Sequence, residues 1–297
     1  MPAITTLNLI SKALLYAALF IILISVINFF MQIHPPRFKT KFDPSTVGLK
    51  YEEISFKTDD GLNLAGWFIP GNHSRATIII LHGYPFDKAN ILQATYFLQQ
   101  HFNLLVFDFR YFGESQGKYT TAGFNEVKDL SAAIEYLKTR NDVDSKKIGV
   151  LGFSLGAAVA LMSNSKDIRA IIADSSYASI SSLLRDMYSN FGPLRSLFVY
   201  ITKILGKVFI GIDADEISPE KSVANIKIPL LLIHGEADSQ IPASHSKAIY
   251  ANSNKNTTEL WIMPGVDHGL GISQYQAEYE KRVMEFFYKN LIVRQVR

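Results

Sequence analysis

The 297 residues are 48% hydrophobic and 19% charged, which supplies apolar material for a substantial core and excludes a disordered chain. The absence of cysteine excludes a disulfide framework, a cysteine nucleophile and thiolate metal sites. Residues 1–41 hold Lys12, Arg37, Lys39 and Lys41 and no acid, so the remaining 26 basic residues face 27 acidic ones, without the cationic surplus that nucleic-acid binding needs.

Residues 13–31 carry no charge. At ~1.5 Å per residue they cover roughly 28 Å as a helix, close to the hydrocarbon thickness of a bilayer. A cleavable signal peptide has a shorter apolar core and a small-residue cleavage site, whereas this run ends in Asn28-Phe29-Phe30-Met31. A buried core helix would show a polar face, and this one is apolar nearly all round. Among these three, an uncleaved single-pass membrane anchor is the expectation, with residues 1–41 as anchor and basic linker. Pro2 and the lack of cysteine exclude myristoylation and palmitoylation as substitutes. Arg37, Lys39 and Lys41 follow the run and only Lys12 and the terminal amine precede it, a bias toward a cytoplasmic body. The sequons at 72–74 and 256–258 would matter only in a secretory lumen.

Pro35-Pro36 should stop the helix and lead into a body at 42–297. Residues 53–58 and 63–69 alternate like a hairpin around Asp59-Asp60-Gly61. Next come continuous apolar runs at 77–81, 104–108, 148–151, 170–173 and 230–233, the pattern of strands buried on both faces, with a further strand at 259–263. Helical periodicity fills the intervals: 125–139 gathers Val127, Leu130, Ala133, Ile134 and Leu137, and 279–291 gathers Val283, Phe286 and Phe287. The alternation predicts an α/β fold, a mostly parallel sheet with helices on both faces. Residues 177–223 break it: they hold no strand candidate but many apolar residues, and the stretch is too long for a plain loop, so a helical lid is expected there. No internal repeat or low-complexity tract is present.

The chemistry centres on Gly152-Phe153-Ser154-Leu155-Gly156. Alone the pentapeptide is a weak signal. Here it follows an apolar strand and opens the Ala- and Leu-rich helix 157–162, so it reads as a sharp strand-to-helix turn presenting Ser154 as a nucleophile. A serine hydroxyl needs a neighbouring base. His268 has the best setting among the seven histidines, in the turn after the strand 259–263. His82 and His234 end strands before glycines, positions that suit packing or loop bracing, and His34, His73, His101 and His245 read as linker, loop or helix-surface residues. The base in turn needs an anion. Asp238, just past the strand 230–233, leads Asp174 and Glu236, and it preserves the chain order Ser, Asp, His.

From about residue 50 to 290 the chain resembles the α/β-hydrolase family, specifically its serine aminopeptidase-like and membrane-anchored members. The resemblance rests on Leu81-His82-Gly83-Tyr84-Pro85, on the run Asp108 to Ser115, on the turn at Ser154, and on His234 to Asp238 with Ile241-Pro242 behind it. It implies an oxyanion hole made by the backbone N–H groups of Tyr84 and Leu155. Tyr111 departs from the pattern, since many relatives have glycine there, and the lid at 177–223 matches least well. The expected activity is acyl transfer through an acyl-enzyme, with no cofactor and no metal. The lid and anchor point to a small-molecule or lipid acyl ester near a bilayer. Thioesterase action on lipidated proteins, peptidase action and a non-catalytic, membrane-tethered binding module are the alternatives.

Overall fold

A computed structural model describes residues 2–72 and 74–293. His73, and with it the centre of the first sequon, lies outside the described residues, as do residues 294–297 of the expected body.

Eight strands form one sheet in the order β1-β2-β4-β3-β5-β6-β7-β8. They are β1 (Glu52–Lys57), β2 (Asn63–Ile69), β3 (Thr77–Leu81), β4 (Asn103–Phe107), β5 (Ile148–Phe153), β6 (Ile168–Asp174), β7 (Leu230–Gly235) and β8 (Thr258–Met263). β1 pairs antiparallel with β2 and β2 with β4, whereas every pairing from β4 through β8 is parallel. The fold is therefore the mostly parallel α/β sheet expected from the alternating pattern. β3 shows why its run is continuously apolar: Ile79 and Leu81 enter one core and Ile78 and Ile80 the other.

The helices are α1 (Pro2–Ile33), α2 (Lys88–Thr95), α3 (Glu126–Lys138), α4 (Leu155–Met162), α5 (Ile180–Met187), α6 (Arg195–Leu205), α7 (Pro219–Ser222), α8 (Ser244–Asn252), α9 (Gly271–Gln274) and α10 (Gln276–Phe287). α3 buries Leu130, Ala133, Ile134 and Leu137 on one side of the sheet, and α10 buries Val283, Phe286 and Phe287 on the other. α2 and α8 were not legible in the sequence, being short and polar. A side-chain cap from Asp87 to the Asn90 N–H starts α2.

Between β6 and β7 lies a helical insertion carrying α5, α6 and α7. Its apolar residues divide into two sets. Leu184, Tyr188, Phe198 and Val199 are buried together, while Phe191, Leu197, Ile204 and Phe209 are exposed.

α1 is long and apolar enough over Leu9–Ile33 to cross a membrane, with a mean hydropathy of 2.5. Its uniform composition conceals a face. Ser25, Phe29 and Ile33 are buried, and Ile21, Ile24, Asn28 and Gln32 half-buried, a stripe at helical spacing that turns toward the insertion. Three polar side chains fall on this stripe and are satisfied within the protein: Ser25 Oγ donates to the Ile21 carbonyl, Gln32 to Asn28, and Asn28 to the Tyr188 hydroxyl. Past the helix the chain stays docked. The Ile33 carbonyl accepts the Thr120 N–H at 3.0 Å, and Arg37 donates to the carbonyls of Gly113 and Ser115. Tyr111 belongs to this contact: its hydroxyl donates to the Pro35 carbonyl at 2.9 Å, and the Arg37 guanidinium lies 5.7 Å from its ring centre.

Candidate active site

β5 ends at Phe153 and α4 begins at Leu155, so the whole strand-to-helix reversal falls on Ser154. Its backbone takes φ 52° and ψ −111°, a region side-chain-bearing residues rarely occupy. The flanking glycines are required by close packing. A Cβ on Gly152 would come within 2.3 Å of the Gly156 carbonyl oxygen, and one on Gly156 within 2.4 Å of the Leu81 carbonyl oxygen. The Ser154 N–H is held by the Asp174 carbonyl at 2.8 Å, which fixes the turn to the end of β6.

His268 comes from the turn after β8, and its Nδ1 lies 2.7 Å from Asp238 Oδ2. Asp238 itself sits past the end of β7, where its other carboxylate oxygen accepts the N–H groups of Gln240 and Ile241. His234 Nε2 stands 3.2 Å from Asp238 and donates to the Ile241 carbonyl, while its Nδ1 pairs with the Ser246 hydroxyl, so this histidine braces the 238–241 turn. Burial acts to raise the Asp238 pKa, but hydrogen bonds from His234, His268 and the Ile241 N–H outweigh it and hold the carboxyl well below the usual carboxylate range.

Asp174 is elsewhere: it accepts the hydroxyls of Tyr279 and Ser175, and burial pushes its pKa up. Glu236 accepts the Gly265 N–H. His82 is fully buried, with Nδ1 on the Gly83 carbonyl and Nε2 accepting the Phe109 N–H. His245, read from sequence as a surface or loop residue, is instead buried between Ala178 and Asp186, bonded to both. These bonds tie its helix, α8, to α5 of the insertion.

Ser154 and His268 line one cavity of about 700 Å³, together with Tyr84 and Leu155. Among the described residues neither Ser154 Oγ nor His268 Nε2 forms a protein hydrogen bond, and both residues line the cavity. A Cβ on Gly83 would lie 3.2 Å from Ser154 Cβ, which brings the Gly83-Tyr84 peptide beside the serine. The Leu155 N–H opens α4 on the same side, where the helix dipole favours negative charge.

Several cavity residues lie outside the sequence motifs, in the apolar N-terminal helix, a loop and the lid. Phe29, Gln32 and Ile33 come from α1, Thr120 to Ala122 from the loop after β4, and Leu183, Leu184 and Thr202 from the insertion. Glu126 holds that loop through Thr120, Thr121 and Gly123. Asp267 was also missed. It accepts from the N–H and hydroxyl of Ser239 and from the His268 N–H at 2.7 Å, and so fixes the histidine turn to the aspartate turn. The adjacent Asp267-His268 pair was the one available clue.

The remaining family motif residues act on the scaffold. Asp108 pairs with Lys88 at 2.8 Å in the interior and accepts the N–H groups of Lys88 and Glu114. Arg110 bridges Asp129 and Asp60.

Comparison with known proteins bears on the family and the fold. Residues 112–293 match the model of the prolyl oligopeptidase family. The chain belongs to that family. YfhR of Escherichia coli is 30% identical, the match covering 79% of this chain and 80% of that protein. YqkD of Bacillus subtilis is also 30% identical, over 76% and 75%. Among solved structures, an esterase of Pyrococcus furiosus superposes with a TM-score of 0.75 at 32% identity, covering 88% of this chain and 98% of its own. An acylaminoacyl peptidase of Pyrococcus horikoshii shares the fold, with a TM-score of 0.63 at 23% identity over 85% of this chain and 44% of its own. Family and fold together make the chain an α/β hydrolase of the serine peptidase-like branch, with hydrolase activity.

Proposed function

We propose that this hydrolase is a membrane-anchored serine esterase acting on lipophilic acyl esters. The observation that carries the reading is the convergence of Ser154 and the Asp238-bonded His268 on a cavity walled by Phe29, Ile33, Leu183 and Leu184. An esterase at 32% identity is among the similar solved structures and supports the ester reading, while the family model and the acylaminoacyl peptidase keep peptide substrates as the alternative.

In this mechanism Ser154 Oγ bonds to the acyl carbon as its proton passes to His268 Nε2. Asp238 holds the ring by Nδ1 and stabilises the imidazolium. The N–H groups of Tyr84 and Leu155 receive the oxyanion, each such donor being worth ~2.7–4 kcal/mol. The carbon–oxygen bond to the alcohol breaks, and His268 returns the proton to the departing alkoxide. Water then repeats the sequence on the acyl-serine and releases the carboxylic acid. α1 is the anchor, and the cation bias of the linker puts the body on the cytoplasmic side.

The test is fluorophosphonate labelling followed by turnover of p-nitrophenyl esters of rising acyl length. Labelling that requires Ser154, with turnover increasing along the series, supports the proposal. Retained labelling in Ser154→Ala refutes the nucleophile. Turnover confined to thioesters or aminoacyl amides replaces the esterase reading by the corresponding alternative.

A further inference from the structure

The outer face of α6 is apolar and exposed. Leu197, Tyr200, Ile204 and Val208 are 41%, 63%, 41% and 70% exposed, and they fall in one line at intervals of three or four residues along α6 and the turn that follows. The inward face of the same helix is already occupied, by Phe198, Val199 and Leu205 in the contacts described above. Such an exposed apolar stripe on a short, otherwise well-packed helix marks an interaction surface.

Three observations identify what covers it. The first is continuity with α1. Ile21 and Ile24 pack on the cluster containing Phe198 and Val199, and Phe29 and Ile33 on the one containing Leu205, so α6 lies alongside α1 and runs in the same direction. The second is the absence of charge on the stripe. The cations of this region flank it, with Lys203 and Lys207 paired to Asp215 and Asp213 and Arg195 to Asp186. The charged side chains of this region are thus paired with one another beside the stripe and leave its apolar line uninterrupted. The third is Phe209, which packs edge-on against Phe30 with a ring separation of 5.2 Å, so that the exposed aromatic surface of α1 continues directly onto the insertion.

We infer that the outer face of α6, which runs parallel to α1, contacts the bilayer in which α1 is anchored, making the insertion a second membrane contact. The inference rests on the membrane-anchor reading of α1, because without a bilayer around α1 there is no surface to continue. It has a consequence for the active site. Phe29 and Ile33 of α1 and Thr202 of α6 line the cavity, so one wall of the site is built from the two helices that meet the lipid.

The chain lacks cysteine, so one introduced thiol takes a nitroxide label at a single position. Tyr200→Cys and Val208→Cys are compared, in the full-length protein in phosphatidylcholine vesicles, with Leu19→Cys on the exposed side of α1 and Lys255→Cys on the far surface of the body. The expected result is that labels at 200 and 208 are relaxed by oxygen and protected from a water-soluble nickel chelate, as at 19 and unlike 255. Labels at 200 and 208 as open to the chelate as 255, with 19 protected, overturn this inference and leave the anchor standing. A label at 19 open to the chelate overturns both. The readout does not depend on turnover, so failure of the esterase assignment leaves it unaffected.

Discussion

Asn28 on α1 donates its side-chain amide to the hydroxyl of Tyr188, 160 positions away at the end of α5, at 3.0 Å. The same hydroxyl stands 3.0 Å from Thr202 Oγ1 on α6. One buried phenol thus ties α1 to both α5 and α6 of the insertion. Tyr188→Phe keeps the ring stacking on Phe198 but leaves the Asn28 amide without its acceptor. Deleting one partner of a buried hydrogen bond costs about 1–3 kcal/mol. The expected outcome is a melting temperature lower by several degrees in detergent, read by intrinsic fluorescence, with short-ester turnover retained.

Phe29 lines the cavity from the anchor side and is buried. Phe29→Ala should lengthen the acyl chain the site accepts. Each additional buried methylene contributes ~0.8 kcal/mol, roughly fourfold in kcat/KM, until the enlarged cavity is filled. The measurement is kcat/KM across a p-nitrophenyl ester series. An unchanged optimum would show that this wall does not contact the acyl chain.

Ser154 adopts its positive φ at a cost of about 1–3 kcal/mol, a conformation glycine takes without Cβ strain. Ser154→Ala retains the strain and Ser154→Gly releases it, although glycine also loses more chain entropy on folding. Both variants should be inert to a fluorophosphonate probe, with Ser154→Gly at least as stable as Ser154→Ala by chemical denaturation. A markedly less stable glycine variant would show that the strain is not stored at this residue.

How much of this was legible in the sequence follows from where each signal lives. The parallel strands were readable because burial on both faces demands continuous apolar runs such as Thr77–Leu81. The Ser154 turn was readable because steric closeness at Gly152 and Gly156 permits only glycine. The residues that shape the cavity were not readable, because they meet through long-range packing. Phe29 and Ile33 look like any other membrane-helix residues until α6 is placed beside them. Ser25, Asn28 and Gln32 carried a faint trace, three polar residues on one face of an otherwise apolar helix. His245 was misread because its burial depends on the insertion folding over α8.

Gly156 offers a test of close backbone packing in the fold. Its α-carbon faces the β3 backbone so tightly that a Cβ would meet the Leu81 carbonyl oxygen. Backbone in a central strand cannot move aside as a flexible side chain can. Gly156→Ala is expected to destabilise by about 1–3 kcal/mol or more, the range for overpacked cores. Gly206→Ala is the control, since a Cβ there would sit 3.5 Å from the Ile212 carbonyl oxygen in right-handed helical backbone. That change should be neutral or stabilising by up to ~1 kcal/mol. Thermal melts of the two variants decide it, and equal destabilisation would refute the steric argument.

Asp238 links activity to pH dependence of stability. Its carboxyl titrates well below the usual range because His234, His268 and the Ile241 N–H favour the charged form more than burial opposes it. A folded-state pKa below the unfolded value of ~3.9 contributes stability that is fully present above that value and is lost as pH falls through it toward the folded pKa. Asp238→Asn removes this contribution, so the melting gap between wild type and variant should be widest near neutrality and narrow below about pH 4. The same change leaves His268 without the anion that fixes its tautomer, and kcat should fall on the order of 10³–10⁴-fold. Melts from pH 7 to pH 3 test the first expectation and ester turnover the second. A pH-independent gap would mean that Asp238 is not held charged by its partners. A loss of activity under tenfold would return the role of anion to another carboxylate, and Asp267, which holds the His268 turn, would be the next residue to change.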